Sequence, residues 1–200
     1  MKRMHENSEK VKRVIIEAIP RIASTDSEFI RGKIRTVPNW TKPGIMFRDI
    51  TTLVQNPEAF NYCINQFAEY YKPKNITKIA GIESRGFIFG AALAKEMNLP
   101  LVLIRKKGKL PAETVSQEYA LEYGTDKIEI HKDAINRGDK VLIVDDLLAT
   151  GGTMKAACAL VEKLNGTVAG CTFVVDLPEL KGREKLKEYD LFSLVEFEGD

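Results

Sequence analysis

The stretch VLIVDDLLATGGT, residues 141–153, decides the fold. Its opening run of four apolar residues, 141–144, reads as a short strand buried on both faces of a sheet. Asp145 and Asp146 follow at the strand's carboxyl end, where open α/β sheets place their ligands. Ala149, Thr150, Gly151, Gly152 and Thr153 then supply small residues that let backbone N–H groups approach an anion, two hydroxyl donors, and the start of a helix. That combination suits a phosphate monoester. The paired carboxylates would repel such a phosphate, so they fit vicinal ribose hydroxyls or positive charge developing on a sugar. Phosphate and diol together describe a phosphorylated ribose. The wording is neither GxxxxGK[ST] nor GxGxxG, which disfavours a triphosphate P-loop and a dinucleotide fold.

Moving outward, the pattern alternates. ITKIAGI (76–82) reads as a strand, GFIFGAALAKEM (86–97) as a helix and LVLI (101–104) as a strand. Ile128 and Ile130 alternate as in a strand; Ala157, Val161 and Leu164 give the helix after the glycines its buried face; residues 168–175 make one more strand. Strands separated by helices of this length predict an α/β fold whose twisted sheet is mainly parallel and flanked by helices. Upstream, Asn56 and Pro57 supply an N-cap and an N1 proline for a helix that buries Phe60, Ile64, Phe67 and Tyr71. Val11, Val14, Ile15 and Ala18 mark an amphipathic helix, and Thr25 with Glu28 resembles a capping box for a short helix carrying Phe29, Ile30 and Ile34. NWTKPGIMF (39–47) has turn chemistry and is expected as a loop or irregular edge, and the lysine-rich stretch 105–127 as a mobile lid loop.

At 200 residues and 44% hydrophobic composition, the chain fits one domain, 1–200, with residues 1–36 as an N-terminal helical extension. A formal charge of +2 gives no bulk field toward nucleic acid or a membrane. Cys63, Cys158 and Cys171 are odd in number and show no CxxC, so a reducing, cytoplasmic setting without disulfides or a zinc knuckle is expected. His5 and His131 are isolated, and no metal-ligand spacing is present. Glu83, Ser84, Arg85 and Gly86 repeat the logic of the phosphate corner: a strand ends, a turn bears a hydroxyl and a guanidinium, and a helix begins. A second anion belongs there. Glu122 lies in the expected lid beside Leu121 and Tyr123, where closure would raise its proton affinity, although a lone loop glutamate is more often simply solvated.

The segment 141–153 resembles the signature of the type I phosphoribosyltransferases, in the wording of those acting on adenine. FRDIT (47–51), GIESRGFIFG (81–90), VLIRKKGKLP (102–111), ALEYG (120–124) and LKGREKL (180–186) resemble the same family in the same order. The resemblance implies a ribose-phosphate site at Asp145, Asp146, Ala149, Thr150, Gly151, Gly152 and Thr153. It implies a pyrophosphate site at Ser84, Arg85, Arg105, Lys106 and Lys109, with Arg85 and Glu122 catalytic, Glu122 as acid/base. It implies a hood over the base in residues 37–56, where backbone groups near Met46, Phe47 and Arg48 read adenine, and Leu177 lies against its face unless it simply packs in the core. Magnesium carried mainly by the substrate, phosphoribosyl pyrophosphate and adenine as substrates, and a homodimer with Arg105 crossing to the neighbouring site complete the expectation. Two alternatives stay open: a hypoxanthine or guanine substrate, and a regulator that senses ribose phosphate without catalysis.

Overall fold

The computed structural model describes residues 24–120 and 124–198. Its elements in chain order are α1 (Ser24–Arg31), β1 (Arg35–Pro38), β2 (Met46–Asp49), α2 (Thr51–Val54), α3 (Pro57–Tyr71), β3 (Lys78–Ile82), α4 (Gly86–Met97), β4 (Leu101–Lys106), β5 (Thr114–Ala120), β6 (Thr125–His131), β7 (Lys140–Leu148), α5 (Gly152–Lys163), β8 (Thr167–Asp176), α6 (Gly182–Lys185) and β9 (Leu191–Glu196). Seven strands form one sheet in the order β5-β6-β4-β3-β7-β8-β9. The pairings among β4, β3, β7, β8 and β9 are parallel, and β6 joins both β4 and β5 antiparallel. The expected α/β architecture with a mainly parallel sheet is present.

β7 shows why its sequence is an unbroken apolar run. Side chains alternate across a strand, so Leu142 and Val144 enter the apolar cluster on the α3–α4 face, whereas Val141 and Ile143 enter the cluster on the α5 face. All four are fully buried. On one side α3 starts where expected: the Asn56 side chain accepts a hydrogen bond from the Ala59 N–H at 2.9 Å, Pro57 occupies the first turn, and Cys63, Phe67 and Tyr71 are buried. On the other side α5 buries Ala157, Cys158, Leu160 and Val161. Among the described residues no helix is long and apolar enough to cross a membrane.

Several expectations need correction. The stretch 105–127 is not predominantly a loop: β5 and β6 pair over seven positions, from Thr114↔His131 to Ala120↔Thr125. Its polar residues alternate with Val115, Tyr119 and Ile128, and that period of two satisfies a ribbon with one wet face. The short helix at residue 24 stops at Arg31, where Gly32 follows, and Ile34 is buried beyond it. Residues 39–47 end in strand geometry, because β2 pairs antiparallel with β1 from Arg35↔Asp49 to Pro38↔Met46. β1 places residues 35 and 36 in a strand rather than a helical extension. The amphipathic helix expected at residues 11–18 lies outside the described residues. β9 was not anticipated; it closes the parallel edge beside β8.

Candidate functional site

β3 ends at Ile82, one residue past its last pairing with β7 at Gly81↔Val144, so β7 carries Asp145 and Asp146 forward beside the turn that follows β3. That turn is Glu83, Ser84 and Arg85, with a cis peptide bond between Glu83 and Ser84. Gly86 permits the approach: a Cβ there would stand 2.6 Å from the Val144 carbonyl oxygen and 3.0 Å from Asp145 Oδ1. The turn after β3 and the acids of β7 therefore meet. Arg85 Nε stands 3.1 Å from Asp146 Oδ2, an ion pair without hydrogen-bond alignment, and that buried oxygen has no hydrogen-bond partner.

Desolvation disfavours the charge on these acids. Burial, and then the neighbouring Asp146 charge, push Asp145 well above the usual carboxylate range. Burial also raises Asp146, although the Arg85 guanidinium pulls the other way. The Asp146 N–H donates to Asp145 Oδ1 at 2.9 Å, which fixes one carboxylate relative to the other.

After Leu148 the chain turns through Ala149 and Thr150 to Gly151, whose φ of +76° is left-handed, and α5 begins at Gly152. This loop is seated on Gly182. A Cβ at Gly151 would stand 2.8 Å from the Gly182 carbonyl oxygen, and a Cβ at Gly182 would overlap the Ala149 carbonyl oxygen. Arg183 beside it bonds the fully buried Asp176 carboxylate and, at 2.6 Å, the Ser193 hydroxyl. These interactions pin the α6 turn, and with it the loop, to the end of β8 and the middle of β9. LKGREKL carried this signal, but a loop's support by a turn thirty residues on is not readable locally.

The β5–β6 ribbon folds over the same corner. Tyr119 donates from its hydroxyl to Asp126 Oδ2 at 3.3 Å and lies beside the Thr153 side chain. Burial first, and then the Asp126 and Asp145 carboxylates, raise its proton affinity, while Thr153 lowers it. A cavity of about 400 Å³ lies between β5 and α5, with Tyr119, Ala120, Gly152 and Lys155 in its walls. Ala120 is the last described residue before Glu122, which lies outside the described residues. Tyr119 escaped the sequence reading because it looked like one residue of a loop.

Arg105 makes a two-pronged contact with Glu83 of its own chain, at 3.1 and 3.2 Å, and donates to the Lys109 carbonyl at 3.1 Å. Lys106 donates its N–H to Glu83 at 3.0 Å while its ammonium stands 3.7 Å from Asp126. Burial alone would raise Glu83, but Arg105, the Lys106 N–H and the Lys109 charge outweigh it and hold the carboxyl below its ordinary range. Ser84 is exposed at the turn, and Lys106 and Lys109 are exposed on the ribbon's base.

β2 brings the hood to this group. The Phe47 ring lies 5.3 Å from the Arg85 guanidinium carbon and 4.3 Å from the Trp40 ring. Strand alternation turns Arg48 the other way, where its guanidinium is buried over Phe197. Met46 is half-buried at the start of β2. Leu177 is buried in the α3–α4 cluster, and its N–H donates to the Leu148 carbonyl at 3.0 Å. Asp49 anchors the ribbon: its carboxyl is pulled down to about 2 by Arg35 and then by the Thr51 N–H, which donates to it at 2.9 Å.

An acid pair within β7, which runs on to Leu148 rather than ending at residue 144, lies beside an arginine turn, and a glycine-seated loop leads from that strand into a helix; the arrangement suits a phosphorylated sugar next to a second anion. The chain belongs to the phosphoribosyl transferase domain family, whose model matches residues 49–200. Its kin within that family are adenine phosphoribosyltransferases. The one from Desulfosudis oleivorans is 55% identical over 171 residues, covering 86% of this chain and 99% of that protein. The crystal structure of the Thermoanaerobacter pseudethanolicus enzyme matches with a TM-score of 0.83 at 50% identity, covering 85% of this chain and 99% of that one. The Saccharomyces cerevisiae enzyme, complexed with an imino-altritol bisphosphate and adenine, matches with a TM-score of 0.81 at 39% identity, covering 86% and 99%.

Proposed function

We propose that this chain transfers the 5-phosphoribosyl group from phosphoribosyl pyrophosphate to adenine, giving AMP and pyrophosphate, and so serves purine salvage. The observation that carries the reading is the meeting of the two anion corners, with Arg85 3.1 Å from Asp146. A substrate that bears a ribose diol, a 5-phosphate and a pyrophosphate on one sugar fills both corners at once. In this reading the 5-phosphate takes the N–H groups of Ala149, Thr150, Gly151 and Gly152 with the hydroxyls of Thr150 and Thr153. Asp145 and Asp146 accept from the ribose hydroxyls. Ser84, Arg85, Arg105, Lys106 and Lys109 take the pyrophosphate.

As the C1–oxygen bond breaks, positive charge develops on the ribose and negative charge on the departing pyrophosphate, which Arg85 and the lysines stabilise. A ring nitrogen of adenine forms the new bond to C1 and yields its proton to Glu122. The β5–β6 ribbon excludes water that would hydrolyse the activated sugar, and movement of that ribbon admits and releases substrate. Backbone groups of Met46, Phe47 and Arg48 read the base, with Leu177 behind its face.

The carboxylate pair and the unpartnered Asp146 oxygen fit a magnesium ion held largely by substrate oxygens. Among the described residues no three His, Cys, Asp or Glu side chains cluster as a protein cage for one. Bound magnesium would offset charge on the pyrophosphate. A homodimer is part of the reading: β4 leaves Leu101 and Leu103 exposed on the face that carries Arg105, which would reach the neighbouring site by exchanging Glu83 for that site's pyrophosphate. The three free cysteines support a cytoplasmic setting.

One incubation tests the reaction. With adenine, magnesium and phosphoribosyl pyrophosphate, AMP and pyrophosphate accumulate one for one; release of pyrophosphate without AMP, or no turnover, contradicts it.

A further inference from the structure

Phe197 lies outside every motif above, yet it is the most heavily gripped aromatic ring near the hood. The Arg48 guanidinium carbon stands 4.5 Å from its centroid and the Arg31 guanidinium carbon 4.7 Å. Arg48 continues past the ring to the Glu198 carbonyl at 3.4 Å and donates to the Thr36 hydroxyl at 2.8 Å. Arg31 donates to the Glu196 carbonyl. The Phe197 N–H in turn donates to the Asp176 carbonyl at 3.0 Å, so the ring is tied to the end of the parallel sheet. Phe197 and Arg48 are both 7% exposed.

The β1–β2 ribbon has only two strands and is not part of the seven-stranded sheet. A two-stranded ribbon is marginal alone, and its position depends on what its side chains grip. Alternation along β2 sends Phe47 toward Arg85 and Arg48 toward Phe197. The side chain turned away from the site therefore locates the backbone turned toward it. Guanidinium–ring contacts are strongest where water is excluded, as it is around this buried pair.

We propose that Phe197, held by the Arg31 and Arg48 guanidiniums, is a positioning residue for the base: it fixes the β2 backbone that reads adenine while leaving the phosphoribosyl pyrophosphate corner untouched. The proposal rests on the adenine-reading assignment of residues 46–48 made above. It adds a determinant of base recognition at a residue that touches no substrate.

The test compares initial rates of wild type, Phe197→Leu and Phe197→Tyr with adenine and phosphoribosyl pyrophosphate varied in turn. Phe197→Leu keeps apolar volume but has no ring face, and is expected to raise the KM for adenine roughly tenfold while the KM for phosphoribosyl pyrophosphate stays within about twofold. Phe197→Tyr keeps the face and restores wild-type values. Arg31→Gln, at an exposed position, moves the adenine KM in the same direction by less and decides the matter if the leucine variant does not fold. Both KM values rising together, or no change in either, overturns the proposal. Trp40, the single tryptophan of the chain, packs on Phe47 and reports the hood without any substrate. Its emission is expected to shift in Phe197→Leu and not in Phe197→Tyr; an unshifted spectrum overturns the clamp. A wild type inactive on adenine would instead sink the functional reading, and the emission result would still decide the clamp.

Discussion

The loop after β7 and the β1–β2 ribbon are held by opposite means. The loop is an extension of a strand flanked on both sides by parallel neighbours, and it rests backbone to backbone on Gly182. The ribbon is tied by side chains: Arg35 to Asp49 and Trp40 to Phe47 within it, and Arg48 to Phe197, which Arg31 of α1 also grips. Backbone packing leaves the loop little tolerance for change. Side-chain ties can be retuned by substitution, so in the proposed reading the sugar-phosphate corner is the rigid part of the site and the base-reading ribbon the adjustable one.

The largest effect is expected at Glu122, the proposed acid/base. Glu122→Gln should lower kcat by roughly 10²–10⁴ with modest change in binding, and wild-type turnover would remove Glu122 from the chemistry. Gly182→Ala strikes the backbone-packed side, because its Cβ overlaps the Ala149 carbonyl and the loop must move. kcat/KM for phosphoribosyl pyrophosphate should fall roughly 10²-fold, with the adenine KM less affected. Equal loss for both substrates would break the comparison.

The acids sharpen it by sign. Asp145 is raised by burial and by its neighbour, so its folded form holds a proton more tightly than the unfolded chain does. Its contribution to stability is therefore complete below the unfolded value of 3.8 and is lost as pH rises through the folded one. At pH 7 the pair destabilises the fold in return for function, and Asp145→Asn should raise the melting temperature while weakening phosphoribosyl pyrophosphate binding at least about tenfold. A lower melting temperature would contradict the desolvation argument. Asp49 behaves in reverse. Its pKa is lowered from 3.8 to about 2, so its contribution is complete above 3.8 and lost as pH falls through about 2. Arg35 is largely solvated, and screening reduces the pair's worth to roughly 1 kcal/mol. Asp49→Asn should lose that amount near pH 7 in denaturant titrations and converge with wild type near pH 2; a constant offset would show that packing rather than charge is responsible.

The same division explains what was legible in the sequence. Residues 141–153 and 76–104 announced themselves because a strand buried on both faces must be an apolar run, and its ligand corner must carry small residues and acids. The β5–β6 ribbon hid because Thr114, Ser116, Glu118 and their lysine-rich surroundings satisfy a wet face, which resembles a loop when the partner strand is unknown. β9 was missed because LFSLVE is only six residues long and draws its burial from β8 and α3 across the fold. The Asp176–Arg183 pair, the seating of Gly151 on Gly182, and Phe197 between two arginines are long-range contacts, and no local period encodes them. Arg48 was noticed with its neighbours for its backbone; the direction of its side chain became meaningful only with Phe197 in place.

The most direct test of the account is an initial-rate comparison of adenine, hypoxanthine and guanine at saturating magnesium and phosphoribosyl pyrophosphate. A backbone donor and acceptor that suit adenine's N1 and 6-amino group leave an unpaired buried group when a 6-oxopurine binds. Adenine is expected to exceed either competitor in kcat/KM by at least roughly 10². Turnover of a 6-oxopurine at or above the adenine rate would contradict it.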